Sequence, residues 1–316
     1  MAKQPEEPGL TLEAALELVE FWLVHLRGMG KSDNTLVTYR RGVDQFLEFC
    51  RTHGHDEPIR RRVLSAWLAY LRDEQGLQGY TARSRLTAVR QFTKWLLDED
   101  EIDSNPFVDM PQPAVDEKLV EPLTDEQIAA MIAACQTPKG AGAERAYIDV
   151  RDLAMIHVLA ETGMRAGELL GLDVADVHWK DNPPGLSITR TKTRQGRTVP
   201  LSPQAAARLG KYVRARQRHK DSTTSTFWLA ARGGPLQYAG LYDALGKRAE
   251  AAGVQGFHPH RMRHTAAHRW LAKGGSEGGL MSVAGWRSPQ MLMRYTKAQA
   301  SARAADEAKR LNLGEL

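Results

Sequence analysis

The sequence has few cysteines and no long apolar run, and each absence excludes a class of protein. Only two of its 316 residues are cysteines, Cys50 and Cys135, and their separation fits neither a zinc finger nor a disulfide framework. No apolar run approaches the roughly 20 residues that span a bilayer. The first residues, MAKQPEEPGL, lack the apolar core of a signal peptide. We therefore expect a protein of the reducing cytoplasm.

The composition is that of an ordinary soluble protein. The apolar fraction is 42% and the charged fraction is 26%, which excludes wholesale disorder. At about 150 residues per domain, the length predicts two domains. The formal net charge of +5 weakly indicates an anionic partner.

Much of the positive charge lies in one stretch of the chain. Residues 186–220 contain ten Lys and Arg residues and no Asp or Glu. Such a block is typical of a surface that faces a polyanion, although a solvated helix face explains the charge equally well. The ten residues are Arg190, Lys192, Arg194, Arg197, Arg208, Lys211, Arg214, Arg216, Arg218 and Lys220.

Hydrophobic periodicity predicts a small all-α domain over residues 11–106, preceded by a flexible tail at residues 1–10. Residues 107–122 contain three prolines and no periodic pattern, which predicts an interdomain linker. Four helices are predicted in this domain, over residues 11–27, 33–51, 59–74 and 81–98.

The fourth predicted helix has two distinct faces. Its apolar residues cluster on one side, and three basic residues lie within about 20° of a common line on another side. This pattern favours a helix that packs inward and contacts DNA outward, but it also fits an ordinary amphipathic surface helix. The apolar residues are Leu86, Val89, Phe92, Thr93 and Leu96, and the basic ones are Arg83, Arg90 and Lys94.

A second domain is predicted over residues 123–316. Thr124 and Gln127 have the spacing of a capping box, which marks its first helix. Two short β-prone segments flank a polar turn at residues 191–196 and predict a hairpin. The fold class is therefore mainly α, with one small antiparallel sheet. The strands are predicted at 186–190 and 197–201, and helices at 148–171 (broken at Gly163), 203–219, 239–252, 260–273 and 289–311.

Arg165 and Glu168 are the first candidates for chemistry. They are three residues apart, which places both on one helix face, where the carboxylate can hold the guanidinium. A fixed arginine is a good bidentate phosphate clamp. A surface ion pair of little energetic consequence is the alternative.

His260 and Arg263 are the second pair, at the predicted start of a helix. His260 could transfer protons near neutral pH, and Arg263 could hold a phosphate oxygen. Metal binding is a rival interpretation, because His260, His264 and His268 recur every four residues. Neither a matching carboxylate or cysteine nor an HExxH pattern accompanies them.

Three further residues are candidates for chemistry, but none of them indicates a function when it is considered alone. Lys192 lies in the predicted hairpin turn, where most lysines are merely solvated. Trp286 and Tyr295 lie nine residues apart near the end of the chain, where a buried structural tyrosine is the default.

The order of these residues carries more information than any one of them. The chain resembles the tyrosine recombinase (phage integrase) family in four boxes, TGMRAGELLGL, TKTRQGRTVPL, HRMRHTAAHRWL and GWRSPQMLMRYTK. Two departures stand out: Trp286 replaces the second histidine of most members, and Arg261-Met262 replaces a common Asp-Leu. The boxes contain, in order, Arg165, Lys192, His260, Arg263, Trp286 and Tyr295.

The resemblance implies a reaction and a role for each residue. Tyr295 would attack a DNA phosphate to give a 3′-phosphotyrosine and a free 5′-hydroxyl, which conserves the bond energy and needs no ATP. Arg165 and Arg263 would stabilise the transition state, so no metal would be required. Lys192 would protonate the leaving 5′-oxygen. In the supporting roles, His260 would act as general acid or base, Trp286 would donate its indole N–H, and Glu168 would orient the arginines.

The resemblance also implies an assembly. Two domains would close around duplex DNA, and a homotetramer would join two core sites through a Holliday junction. The short N-terminal tail predicts a compact member without an arm-binding domain, acting at the nucleoid. The target sequence, the direction of recombination, any accessory directionality protein and the cis or trans docking of the C-terminal helix stay open. Expected DNA contacts are Arg83, Arg90, Lys94, Arg190, Arg194 and Arg197.

Two alternatives come from other functional classes. A type IB topoisomerase shares the nucleophile chemistry but relaxes DNA without strand exchange. A DNA-binding regulator with a silent catalytic domain would bind but not cut. The lysine in a short hairpin favours the recombinase over the first, and the full set of six residues favours it over the second.

Overall fold

The computed structural model describes residues 9–77, 79–108, 110, 121–189, 196–286 and 288–296. The chain divides into two compact units, Met1–Lys118 and Leu119–Leu316. Each unit has its own hydrophobic core. Cys50 and Cys135 are both free, and burial raises the pKa of each thiol to about 12, which makes them unreactive.

The first unit is an all-α domain, as the periodicity predicts. Thr11 and Ser32 cap the first two helices by accepting hydrogen bonds from backbone N–H groups. The helices of its described part are α1 (Leu12–Gly28), α2 (Asp33–Thr52), α3 (Arg61–Asp73) and α4 (Gly79–Asp98).

Aromatic side chains fill the core between these helices. Trp22 lies 5.2 Å from Phe92, and Phe46 lies 5.0 Å from Trp67, between ring centroids. Gly42 lets α2 and α4 approach closely, since a Cβ there would lie 2.5 Å from the Cβ of Ala88. The predicted apolar face of α4 is confirmed, because all five of its residues are buried: Leu86, Val89, Phe92, Thr93 and Leu96.

The second unit is mostly helical around a small sheet. Thr124 and Gln127 form the predicted capping box. The strands pair antiparallel in the order β1-β2-β3, with Leu186 opposite Val199. The described elements are α5 (Asp125–Ala133), α6 (Ala143–Thr162), α7 (Ala166–Leu170), β1 (Val177–His178), β2 (Gly185–Ile188), β3 (Arg197–Pro200), α8 (Pro203–Arg216), α9 (Tyr238–Ala251), α10 (Pro259–Ala272), α11 (Glu277–Ala284) and α12 (Pro289–Thr296).

Two of these elements are absent from the sequence-based prediction. Strand β1 has two residues, too few for an alternating pattern. Helix α11 has the sequence EGGLMSVA, in which two glycines weaken the helical signal. The predicted turn of the hairpin and the C-terminal part of the last predicted helix lie outside the described residues. No helix in the described part of the chain is long and apolar enough to cross a membrane.

A buried ionic cluster joins α9 to α6. The guanidinium of Arg248 contacts Asp149 at 2.7 Å and Asp152 at 2.8 Å, and both carboxylates are 1% exposed. It also donates to the carbonyl of Ala134, just after α5. Arg151 completes the pairing of Asp152. The cluster therefore joins α5, α6 and α9 to one another.

We expect Arg248→Met to lower the free energy of unfolding by about 3 kcal/mol or more, because two buried carboxylates lose a cation. Urea denaturation followed by circular dichroism measures this. Lys247→Met is the matched control on the same helix, since Lys247 pairs with Asp243 in solvent. The control should cost no more than about 1 kcal/mol, and equal losses in the two variants would contradict the assigned role.

Candidate active site

Arg165 begins the site at a break between two helices. Gly163 ends α6 in the left-handed conformation, with φ 59°, and a Cβ there would lie 3.0 Å from the Cβ of Ala266. Only glycine suits both constraints. The break lets the chain turn and places Arg165 at the N-cap of α7.

Glu168 holds Arg165 in place. Its carboxylate accepts hydrogen bonds from the backbone N–H of Arg165 at 2.9 Å and from Nη1 of the same residue at 2.7 Å. The Glu168 side chain is 4% exposed, whereas that of Arg165 is 34% exposed. The surface ion pair considered above is therefore excluded, and Arg165 keeps part of its guanidinium toward solvent.

A second arginine shares the same carboxylate. Nη1 and Nη2 of Arg197 donate to the two oxygens of Glu168 at 3.2 and 2.8 Å. Burial by itself raises the pKa of Glu168, but the hydrogen bonds and charges of Arg197 and Arg165 outweigh it and lower the pKa to about 2. Glu168 is thus ionised throughout the physiological pH range.

Arg263 lies in α10 and is 2% exposed. Its guanidinium donates to the carbonyl of Gly163 at 2.7 Å and to that of Ala284 at 2.8 Å. It also lies 5.3 Å from the ring centroid of Trp286, which is 5% exposed. Arg263 therefore connects the break before Arg165 to the turn that presents Trp286.

His260 lies in the first turn of α10, on the exposed side of the helix. The protein atoms around its ring lower the pKa by desolvation, and the charges of Arg263, His258 and Arg165 lower it further. His260 and Arg263 are three residues apart in α10, which places them on one face of that helix. A neutral ring at physiological pH can accept a proton.

The fold brings together five of the predicted residues from three separated segments: Arg165, Glu168, His260, Arg263 and Trp286. Tyr295 lies on α12, and the structure describes only its backbone. Lys192, Arg190 and Arg194 lie outside the described residues. Within the described residues, no group of three His, Cys, Asp or Glu side chains could hold a metal ion.

Arg90, one of the expected DNA contacts, is engaged within the first unit. Its guanidinium donates to the carbonyl of Met110 and lies 5.9 Å from the ring centroid of Phe107. The chain after α4 folds back over this part of the helix, so Arg90 is half-buried and packs within its own unit. Arg83 and Lys94, on the same line of α4, are exposed.

The structure also corrects the uniform basic surface expected of residues 186–220. Arg197 is 12% exposed, and its guanidinium is used inside the protein. Arg216 is buried and donates to the carbonyls of Ser222, Thr224, Thr226 and Phe227. Charge alone could not separate these structural arginines from the exposed basic residues of the block, which include Lys211, Arg214, Arg218 and Lys220.

Sequence reasoning also missed the end of α11 as part of the site. The carbonyls of Val283 and Ala284 accept hydrogen bonds from Arg197 and Arg263. The one available signal was Gly285, which ends α11 with φ 65° directly before Trp286.

Comparison with known proteins agrees with this architecture. Residues 121–302 match the phage integrase family, and residues 19–100 match the N-terminal SAM-like domain of phage integrases. The tyrosine recombinase XerD of Corynebacterium glutamicum is 30% identical over 90% of this chain and 94% of its own length. XerC of Herpetosiphon aurantiacus is 29% identical over 84% of this chain and 85% of its own length.

Solved structures show the same fold at lower identity. XerH bound to a palindromic difH substrate, in a post-cleavage complex, has a TM-score of 0.73 at 17% identity, with both chains fully covered. A lambda integrase tetramer bound to a Holliday junction has a TM-score of 0.68 at 18% identity, covering 92% of this chain and 78% of that one. The family match spans more than half of the sequence, and the chain therefore belongs to the phage integrase family of tyrosine recombinases, enzymes that transfer DNA strands in site-specific recombination.

Proposed function

We propose that this recombinase cuts and rejoins duplex DNA through a 3′-phosphotyrosine intermediate, with Tyr295 as the nucleophile. The observation that carries the proposal is the cluster in which Glu168 fixes Arg165 while backbone carbonyls fix Arg263 beside Trp286. Two immobilised guanidiniums with a neutral imidazole nearby suit a phosphate that gains negative charge in the transition state.

The cleavage step uses each of these groups once. The Tyr295 oxygen attacks the phosphorus while its proton passes to His260, and the bond from phosphorus to the 5′-oxygen breaks. Lys192 donates a proton to that oxygen, which leaves as a 5′-hydroxyl. Arg165 and Arg263 bind the non-bridging oxygens, and Trp286 packs beside them. Rejoining is the reverse attack, by a 5′-hydroxyl of the partner strand.

We assign the two units different tasks. The domain predicted over residues 11–106 would bind the core site through Arg83 and Lys94, and a linker within residues 107–122 would join it to the catalytic domain predicted over residues 123–316. Arg190 and Arg194 would add phosphate contacts. Four copies would act on two sites at the nucleoid, as the lambda integrase tetramer on a Holliday junction supports. Integration, excision or resolution of a mobile element or replicon are the outcomes that such a reaction produces.

Tyr295→Phe should abolish covalent capture of DNA and leave DNA binding intact, because only the attacking oxygen is lost. Sheared genomic DNA of the source organism is incubated with the protein, the reaction is stopped with SDS, and DNA still attached to protein is sequenced. The wild type should capture one recurrent site. Tyr242→Phe, an exposed tyrosine on α9, is the matched control and should capture DNA normally. Capture by the Tyr295→Phe variant would refute the assignment.

Cleavage should require the neutral form of His260. The pKa of this group is lowered from 6.5, so on the acid side the rate should fall only as the pH drops through that lowered value, and it should not rise further above pH 6.5. Single-turnover cleavage of the captured site at saturating protein measures the profile. His260→Gln should lower the plateau rate by about 10²- to 10⁴-fold and remove the acid limb. An unchanged acid limb in that variant would assign the titration to another group.

Arg83→Ala and Lys94→Ala should weaken DNA binding through lost phosphate contacts. Each should reduce the slope of log K against log salt by about 0.9. Arg72→Ala removes the same charge from α3, where Arg72 pairs with Asp73, and should leave the slope unchanged. Arg90→Ala should also leave the slope unchanged, because this guanidinium packs inside the unit. A slope change in all four variants would indicate a general effect of net charge.

A further inference from the structure

Arg197 is fully engaged inside the protein. It is the first residue of β3, five residues after Lys192 in the sequence. Its Nε donates to the carbonyl of Val283 at 2.9 Å, and its two terminal nitrogens donate to Glu168. One guanidinium thus contacts α7 on one side and the end of α11 on the other.

The contact with Glu168 also governs Arg165. The carboxylate is buried and is shared by the two arginines, so its position depends on both. Without Arg197, the Glu168 carboxylate would still accept hydrogen bonds from Arg165. It would lose its two hydrogen bonds from Arg197, the first residue of β3. Arg165 would then be held by a carboxylate free to take other rotamers.

Arg197 also contacts the turn before Trp286, through its hydrogen bond to the carbonyl of Val283. The guanidinium lies directly against Gly285, where a Cβ would come within 2.7 Å of Nη1 and 2.8 Å of Cζ. Arg263 holds the adjacent carbonyl of Ala284. The two arginines together fix the last carbonyls of α11, from which the chain continues to Trp286.

We infer that Arg197 is a positioning residue for strand cleavage: it sets Arg165, through Glu168, and the Gly285–Trp286 turn relative to the hairpin strand that follows Lys192. The inference rests on the function proposed above and replaces the DNA contact first expected of Arg197. Lysine cannot substitute fully, because its N–H donors share one nitrogen, whereas Arg197 donates from three separate nitrogens of a planar guanidinium.

Arg197→Ala should lower the single-turnover rate of covalent adduct formation at saturating protein by about 10²-fold, since a displacement of about 1 Å in a catalytic group costs this much. The DNA affinity and its salt dependence should stay unchanged. Arg197→Lys should fall between alanine and the wild type.

The close approach to Gly285 provides a second readout. Gly285→Ala should slow cleavage for two reasons: the positive φ strains an alanine backbone, and the new Cβ would displace the guanidinium of Arg197. In a double variant that also carries Arg197→Ala, only the backbone strain should remain. Gly274→Ala is the matched control, because Gly274 also has a positive φ, 77°, but open space at its Cβ position. The effect of Gly274→Ala on the cleavage rate should be the same in the wild-type and the Arg197→Ala backgrounds.

Three results would overturn the inference while leaving the proposed function intact. A lower DNA affinity and salt slope in Arg197→Ala, with an unchanged rate at saturation, would make Arg197 a DNA contact. A lower thermal unfolding midpoint with an unchanged rate per folded molecule would make it a structural residue only. Equal, additive effects of Gly285→Ala and Gly274→Ala would remove the coupling to Arg197. A wild-type protein that forms no adduct would refute the proposed function itself, and the inference with it.

Discussion

A carboxylate buried away from water is stable only when cations and N–H groups surround it, and the second unit is organised around one such group. Glu168 accepts hydrogen bonds from the side chains of Arg165 and Arg197 and from a backbone N–H. These contacts more than offset the cost of burial, as its pKa of about 2 shows. The break after α6, the start of β3 and the end of α11 all meet at this point.

Backbone carbonyls serve as the second set of anchors in the site. Arg263 donates to the backbone carbonyls of Gly163 and Ala284. Carbonyl oxygens satisfy the N–H groups without cancelling the positive charge. The positive charge of this buried guanidinium lowers the pKa of His260.

Glycines make these close contacts feasible. Gly163 and Gly285 both adopt positive φ, and each has a neighbour where a Cβ would be placed, Ala266 in one case and Arg197 in the other. Gly163 ends α6 two residues before Arg165, and Gly285 ends α11 directly before Trp286. A side chain at Gly285 would collide with the guanidinium of Arg197, and one at Gly163 would press on Ala266, which follows Arg263 on α10.

The sequence by itself determined the helical class, the four helices of the first unit, the strands of the hairpin and the order of the family's boxes. These follow from local periodicity, capping and motif spacing, which are properties of neighbouring residues. It also predicted the contact between Glu168 and Arg165, although the reason differs: Arg165 is the N-cap of α7, and Glu168 reaches back to it from the third helical position.

Only the tertiary structure decided which arginines face solvent and which bind groups of the protein itself. Arg90, Arg197 and Arg216 look no different in sequence from Arg83 or Arg214, yet carbonyls and carboxylates from distant segments bind the first three. Strand β1 and helix α11 likewise depend on tertiary packing, because their own residues carry too weak a local signal. Whether a charge faces solvent is set by what folds over it, and that is a long-range property of the chain.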